Sequence, residues 1–334
     1  VGLLFIAWFL PPVLRWAFID AVWTGPDRSV CATVAQGGIQ PDGWSGACWA
    51  FVNAKFSQFM YGRYPVFERW RVDLTAVMFV ALLVPLLIPR VPYKLWNALA
   101  FFIVFPIVAY FLLVGGWFGL SFVSTTLWGG LLVTMVLSFV GISISLPMGI
   151  LLALGRRSKM PVVKMICVIF IETVRGVPLV VLLFVTVSVL PLLLGGQPID
   201  KMWLVLTALT LHAATSLAEV WRGGLEAVPD GQMECATALG LSRWNGFRLV
   251  VWPQARRIAM PPAIGTIIGA VKDTSLVLVI GIFDMLGAAK AALADMAWRA
   301  HALEIYLAVA AFYFVVCFAL SVYAERLRTR PYHS

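Results

Sequence analysis

Charge is scarce in this sequence: Asp, Glu, Lys and Arg make up only 12% of 334 residues, while 61% are hydrophobic. A soluble domain carries about twice that charged share, so the chain reads as a membrane protein. The signatures of soluble chemistry are missing as well. No Gly-Lys dipeptide occurs, which excludes a phosphate-binding loop, and neither HExxH nor CxxC spacing is present. His212, His301 and His333 are too scattered to form a ligand set, and no catalytic groups cluster, so the chain is not expected to be an enzyme. Alternation of polar and apolar residues is also lacking. An outer-membrane barrel needs it, because its strands face lipid and lumen in turn. What remains is an all-α polytopic membrane protein, and any uphill transport must draw its energy from a partner or an ion gradient.

The charge-free runs are Leu74 to Pro89, Leu95 to Gly155, Gly176 to Ile199, Met202 to Ala218, Ile258 to Val271, Thr274 to Phe283 and Ile305 to Ala324. A crossing takes roughly 20 apolar residues, since the hydrocarbon core is about 30 Å thick. Leu95 to Gly155 therefore holds two spans, divided at Gly115, Gly116 and Gly119. With the N-terminal segment Val1 to Trp23 the total is about eight transmembrane helices. That segment contains Pro11, Pro12 and Arg15, and it starts without Met, which points to a natural N-terminus further upstream. A cleaved signal peptide is the rival reading, but no small-residue cleavage site follows a short apolar core.

Lys and Arg collect on the cytoplasmic side of membrane proteins. Arg156, Arg157 and Lys159 fall in one short loop, Arg222, Arg243, Arg248, Arg256 and Arg257 in another, and Arg326, Arg328 and Arg330 in the tail. Placing all three inside puts the C-terminus in the cytoplasm, Gly195 to Lys201 outside, the turn from Arg90 to Lys94 inside and the long loop at 24–72 outside. Arg28, Lys55, Arg63, Arg69 and Arg71 then sit on the side that should be poor in them. An oxidising outer space would let Cys31 join Cys48; joined or free, both states stay open. Cys167, Cys235 and Cys317 read as small packing residues. Trp44, Trp49, Phe51, Phe56, Phe59, Tyr61 and Tyr64 suggest an interfacial helix lying on the bilayer, or a docking surface for a partner.

Between the spans at Met202 and Ile258 lies the most informative segment. Pro229-Asp230-Gly231 signals a turn, with Asp230 capping a short helix that runs to Leu239. Gly240 suits the left-handed residue that ends it, and Ser242 can cap a second short helix before Arg243 and Trp244. Small side chains at Cys235, Ala236 and Ala238 would make a knob that another protein could grip closely.

Glu234-Cys235-Ala236, then Gly240, then Val250 and Trp252-Pro253 resemble the EAA loop of ABC-importer permeases: EAA, three residues, Gly, nine residues, I-x-L-P. The spacing matches throughout, and the three differing letters are apolar replacements. Glu172-Thr173-Val174-Arg175-Gly176-Val177-Pro178-Leu179 resembles the E-x-x-R-G-x-P-L break of the polar-amino-acid subfamily. Glu219-Val220-Trp221-Arg222-Gly223-Gly224 is similar to its E-x-x-R-G-G, and Lys272-Asp273-Thr274-Ser275-Leu276 to its K-D-T-S-L. The resemblance covers 125–330. It implies a type I importer permease core formed by the last five spans, with a cytoplasmic coupling loop at 222–257. Residues 1–124, a membrane extension with about three spans, are similar to the larger M-type permease subunit of general L-amino-acid transport systems.

The resemblance also implies partners: a second permease subunit in a heterodimer, two cytoplasmic ATP-binding subunits and a periplasmic amino-acid-binding protein. ATP and Mg would be bound by the ATPase subunits, with no cofactor in this chain and no nucleic-acid partner. The setting is the lipid of a bacterial inner membrane, crossed many times. Glu234, Cys235, Ala236, Gly240, Ser242, Arg243 and Pro253 are the residues expected to couple to the ATPase.

A substrate path has independent support. Lys272 and Asp273 interrupt an apolar run, and a charge at mid-membrane costs at least about 2.5 to 3.5 kcal/mol. Neighbours on a helix point about 100° apart, so the two cannot simply neutralise each other. Asp273, with the hydroxyls of Thr274 and Ser275, could receive the ammonium of an amino acid; the alternative is a pairing that only locks the bundle. Glu172 and Arg175 share a helical face just before the Gly176-Val177-Pro178 break, a candidate wall of the path or a local ion pair. Glu219 and Arg222 read as another local pair, and His212 as a packing donor or a proton relay. A secondary amino-acid transporter driven by an ion gradient would need coupling carboxylates and two similar halves, whereas only Asp273 lies deep in a span.

Overall fold

The computed structural model describes residues 2–88, 91–298 and 301–328, with backbone alone for 2–7. Arg90, Arg330 and His333 lie outside the described residues. The chain order is α1 Gly2–Leu14, α2 Trp49–Tyr61, α3 Arg69–Leu87, α4 Lys94–Val114, α5 Gly130–Arg156, α6 Pro161–Gly176, α7 Leu179–Leu193, α8 Lys201–Glu226, α9 Gly231–Ala238, α10 Arg243–Ile280, α11 Met285–Ala292 and α12 Ala302–Arg328. Among the described residues there is no strand beyond isolated bridges.

Six of these helices are long and apolar enough to cross a membrane, and the pair α6 and α7, bent by 104°, would make a seventh. The difference from about eight lies in the first segment. There α1 runs directly into a π-turn at Arg15–Ile19, and this stretch is not among the six. The glycines placed between two spans act as expected: Gly115, Gly116 and Gly119 all have positive φ and turn the chain after α4.

Lipid tails are as apolar as leucine, so helices in a bilayer are held by close packing, and small residues permit it. A Cβ on Gly149 of α5 would lie 2.8 Å from Leu217 Cβ and 3.0 Å from the Ala214 carbonyl oxygen of α8. Two turns further along α8, a Cβ on Gly224 would come within 2.6 Å of Ala259 Cβ of α10. Thus α5, α8 and α10 form the tight centre of the bundle. Ala208, Ala214, Ala218 and Ala255 are completely buried there.

The aromatic segment at 44–64 departs from the bilayer-lying expectation. Its helix α2 is docked into the protein, burying Phe51 and Phe59 against α11 and the start of α12. Phe51 stacks on Trp298, with ring centroids 5.6 Å apart. A disulfide joins Cys31 to Cys48, and the Cys48 amide donates to Glu304 Oε1 of α12 at 3.0 Å. The chain then passes the core at Gly62 (φ +63), where a Cβ would sit 2.4 Å from Gly129 Cα.

Positive residues of this end are absorbed by the fold. Arg71 is buried, paired with Glu68 at 2.7 Å and donating to the Ser121 carbonyl at 2.8 Å. Lys55 pairs with Asp295, Arg69 donates to Ser57 Oγ at 2.6 Å, and Arg63 donates to the Thr126 carbonyl at 3.2 Å. These four groups cap and tie loops, whereas Arg28 stays exposed.

Candidate coupling loop and substrate path

The loop after α8 is built as a knob. Asp230 occupies the cap position of α9 but its side chain makes no capping bond; its carbonyl instead receives the Met233 amide at 3.0 Å. At the other end, Leu241 N–H donates to the Ala236 carbonyl at 3.1 Å and Gly240 N–H to that of Thr237 at 2.9 Å. That bonding pattern ends a helix on a left-handed residue, and Gly240 has φ +80. Ser242 Oγ then accepts from Asn245 N–H at 3.3 Å.

The helix that Ser242 caps is not short. It runs on as α10, 38 residues long, from the knob into the membrane. A proline inside a helix removes a donor and clashes with the preceding turn. Here the π-turn at Phe247–Val251 precedes Pro253, which falls in the first turn of the next α-helical stretch, where the missing N–H is tolerated.

The coupling candidates separate by role. Glu234, Cys235, Gly240, Ser242 and Arg243 lie on or near the surface, whereas Ala236 is buried and Pro253 is half-buried. Ala236 packs on Gly246, whose Cβ would lie 3.4 Å from that of Ala236, so the two small residues let α9 sit on α10. Gln254 Nε2 donates to Gln232 Oε1 at 3.1 Å and ties the same pair. The tip carries Leu239, 82% exposed, and Trp244, 67% exposed. Both were legible as apolar residues in a polar loop.

Beside the C-terminal end of α8 an ion-pair web keeps the local Glu219–Arg222 pair read from its motif and replaces the Glu172–Arg175 one. Arg156, at the end of α5, reaches Glu172 of α6 at 2.8 Å and Glu219 of α8 at 2.9 Å. Glu219 also accepts Arg222 at 2.9 Å and lies 3.9 Å from Arg175. Glu172 and Arg175 thus pair across helices, not with each other. Sequence alone assigns Arg156 only to setting orientation; two E-x-x-R motifs with an adjacent loop arginine are the signal that could have placed it here. Between α6 and α7, Val177 and Pro178 are both extended in backbone and make the 104° break.

Asp273 lies elsewhere. It ends the α-helical part of α10, and Thr274–Ile280 continues as a 3-10 helix. With Ser138 and Gly141 of α5 and His212 of α8 it lines a cavity of about 10 Å³, room for about one water molecule. Ser138 Oγ and His212 Nδ1 are buried there without a hydrogen-bond partner. His212 stands seven residues before Glu219 on α8, about 10 Å along the axis. Thr274 faces away: it is buried, donates to the Val271 carbonyl at 2.8 Å and lies 3.5 Å from the Tyr313 hydroxyl of α12. Ser275 donates to the Lys272 carbonyl at 2.8 Å, and Lys272 is exposed.

Comparison with known proteins agrees with this architecture. Residues 145–331 match the family described as "Binding-protein-dependent transport system inner membrane component". The chain is 40% identical to the inner membrane amino-acid ABC transporter permease protein YhdY of Escherichia coli (strain K12), over 99% of this chain and 88% of that protein. It is 34% identical to the glutamate/glutamine/aspartate/asparagine transport system permease protein BztC of Rhodobacter capsulatus, over 98% and 88% respectively. A crystal structure of an amino acid ABC transporter with histidines superposes with a TM-score of 0.55 at 30% identity, covering 60% of this chain and 92% of that one. With more than half its length matched and a near full-length relative at 40% identity, the chain belongs to the binding-protein-dependent transport system inner membrane component family.

Proposed function

We propose that this permease subunit forms part of the pathway for amino acids handed over by a periplasmic binding protein, with ATP and Mg bound by separate cytoplasmic subunits. A second permease subunit completes the pathway, and two ATPase copies dock on the two knobs. The knob and the C-terminus face the cytoplasm, and the disulfide end faces outward.

One observation carries the reading. A single helical stretch, α10, starts at the exposed knob and reaches the cavity at Asp273, about 45 Å along its axis. A push on Leu239 and Trp244 is therefore transmitted by a rod to the groups beside Asp273. The cavity holds no more than a water, so passage of an amino acid requires α5, α8 and α10 to part. Once parted, Asp273 would accept the ammonium, with His212 and Ser138 completing the polar wall.

The test is uptake of labelled amino acids into vesicles containing the whole complex, with ATP and saturating binding protein. Asp273→Asn keeps shape and removes charge, so uptake affinity should fall by about one to two orders of magnitude, the worth of a charge-assisted bond. Leu239→Asp with Trp244→Ala should uncouple ATP hydrolysis from transport while insertion survives. Normal uptake in Asp273→Asn overturns its role, and normal coupling in the knob variant overturns the lever.

A further inference from the structure

Between the N-terminal helices and the core lies a groove of about 660 Å³, bounded by α3, α4, α5 and the start of α8. Its walls are Val72, Phe79 and Val80 of α3, Ala109 of α4, and Phe139 and Val140 of α5, among other apolar side chains. Asp73 to Val80 spans seven residues, about 10 Å of helix rise, so the groove occupies roughly one leaflet of a 30 Å hydrocarbon core.

The lining excludes most occupants. An apolar cavity does not fill with water, and a void of this size would forfeit dispersion contacts on every wall. A flexible hydrocarbon chain fits, and the surrounding bilayer supplies it.

Polar groups gather at one end. Arg69 and Asp73 are four residues apart on α3 and make no ion pair with each other, although i and i+4 side chains are neighbours on a helix. Tyr61 lies between them: its hydroxyl donates to Asp73 Oδ1 at 2.7 Å, and the Arg69 guanidinium sits 5.0 Å from the centre of its ring, with Nη1 on Ser57 Oγ at 2.6 Å and Nε on the Tyr64 carbonyl at 3.4 Å, leaving Nη2 to face a further acceptor. Asp73 is exposed and has a hydroxyl, not a cation, as its bonded partner. Trp128, Trp203 and Tyr110 border the same end, and such aromatics mark the headgroup level of a bilayer. A cation and an anion side by side above a hydrocarbon slot match a zwitterionic headgroup.

We propose that this groove is a lipid site that seats an acyl chain of an ethanolamine phospholipid, its phosphate at Arg69 and its ammonium at Asp73. The lipid would fill the seam between extension and core. This inference needs only the membrane setting and stands or falls separately from the transport reading.

The experiment uses the full chain in nanodiscs of mixed phosphatidylethanolamine and phosphatidylglycerol, with a phosphatidylethanolamine carrying a diazirine on its acyl chain. Crosslinks should concentrate on Phe79, Val80 and Phe139, over the lipid-exposed Val315 and Phe318 of α12. Ala76→Trp, placed on the exposed wall of the groove, should remove the groove crosslinks and leave those on α12. Asp73→Asn leaves the slot intact and should lower the preference for phosphatidylethanolamine over phosphatidylglycerol by up to about fivefold. Labelling that is uniform between groove and α12, or unchanged in Ala76→Trp, overturns the site. If Ala76→Trp fails to fold, an unaltered headgroup preference in Asp73→Asn overturns it.

Discussion

At the disulfide end, Arg71 is 1% exposed and bonded to Glu68 and the Ser121 carbonyl, and Lys55 pairs with Asp295 across some 240 residues of sequence. At the knob end, Arg156 shares Glu172 and Glu219, while Glu219 serves Arg156, Arg222 and Arg175 together. The first end gives Arg71 and Lys55 a fixed partner each, and a disulfide reinforces it. In the second, half-exposed charges share partners on α5, α6 and α8, so one pairing can be exchanged for another at little cost. A platform that keeps its shape and a web that can rearrange would suit the coupling proposed above.

The contrast can be broken most severely at Gly62. Gly62→Ala places a side chain at φ +63 against the Gly129 backbone, so extension and core must separate locally; the loss should be about 3 kcal/mol or more, read as a lower unfolding midpoint and faster amide exchange at 60–64. Glu219→Ala takes one partner from three guanidinium groups, of which Arg156 keeps Glu172 and Arg222 keeps Glu226, and should cost about 1 to 2 kcal/mol, with Glu219→Gln recovering about half in the same thermal assay. Glu172→Ala, more exposed, should cost under about 1 kcal/mol. Gly240→Ala also meets a positive φ, +80, but open space. Its cost should therefore be only about 1 kcal/mol, with coupling falling more than stability.

The smallest effect concerns pH. The hydrogen bond from Lys55 holds the Asp295 carboxyl below its ordinary 3.8, helped by the Ala297 amide. A depressed carboxylate contributes stability above the unfolded value and loses it as pH falls through the folded one. Docking of α2 should loosen only below about pH 4, seen as acid-dependent exchange near 55 and 295 that is absent in Lys55→Ala.

Much was legible in the sequence. Membrane residence, the spans after residue 70, the Gly240 helix stop and the Val177-Pro178 break all arise from rules that act within a few residues: hydropathy over a window, a left-handed glycine, a proline without a donor. Glu172 and Arg175 show the limit. Their spacing correctly put them on one helical face, yet their partners arrive from α5 and α8 and lie 16 and 44 residues away in sequence. The aromatic segment failed for a related reason, since composition cannot tell whether a greasy helix covers lipid or protein until Phe51 finds Trp298.

By itself, then, the sequence determined what is local or periodic in this protein: the helices, their order, the knob and its stop, and the apolar material that must meet lipid or another helix. Tertiary structure alone decided which charges neutralise which, that Thr274 turns away from Asp273 while His212 and Ser138 turn toward it, and that the extension leaves a slot beside the core. Those outcomes depend on contacts between residues far apart in the chain, where the energy of a pairing is set by distance and burial in space and not by spacing in sequence.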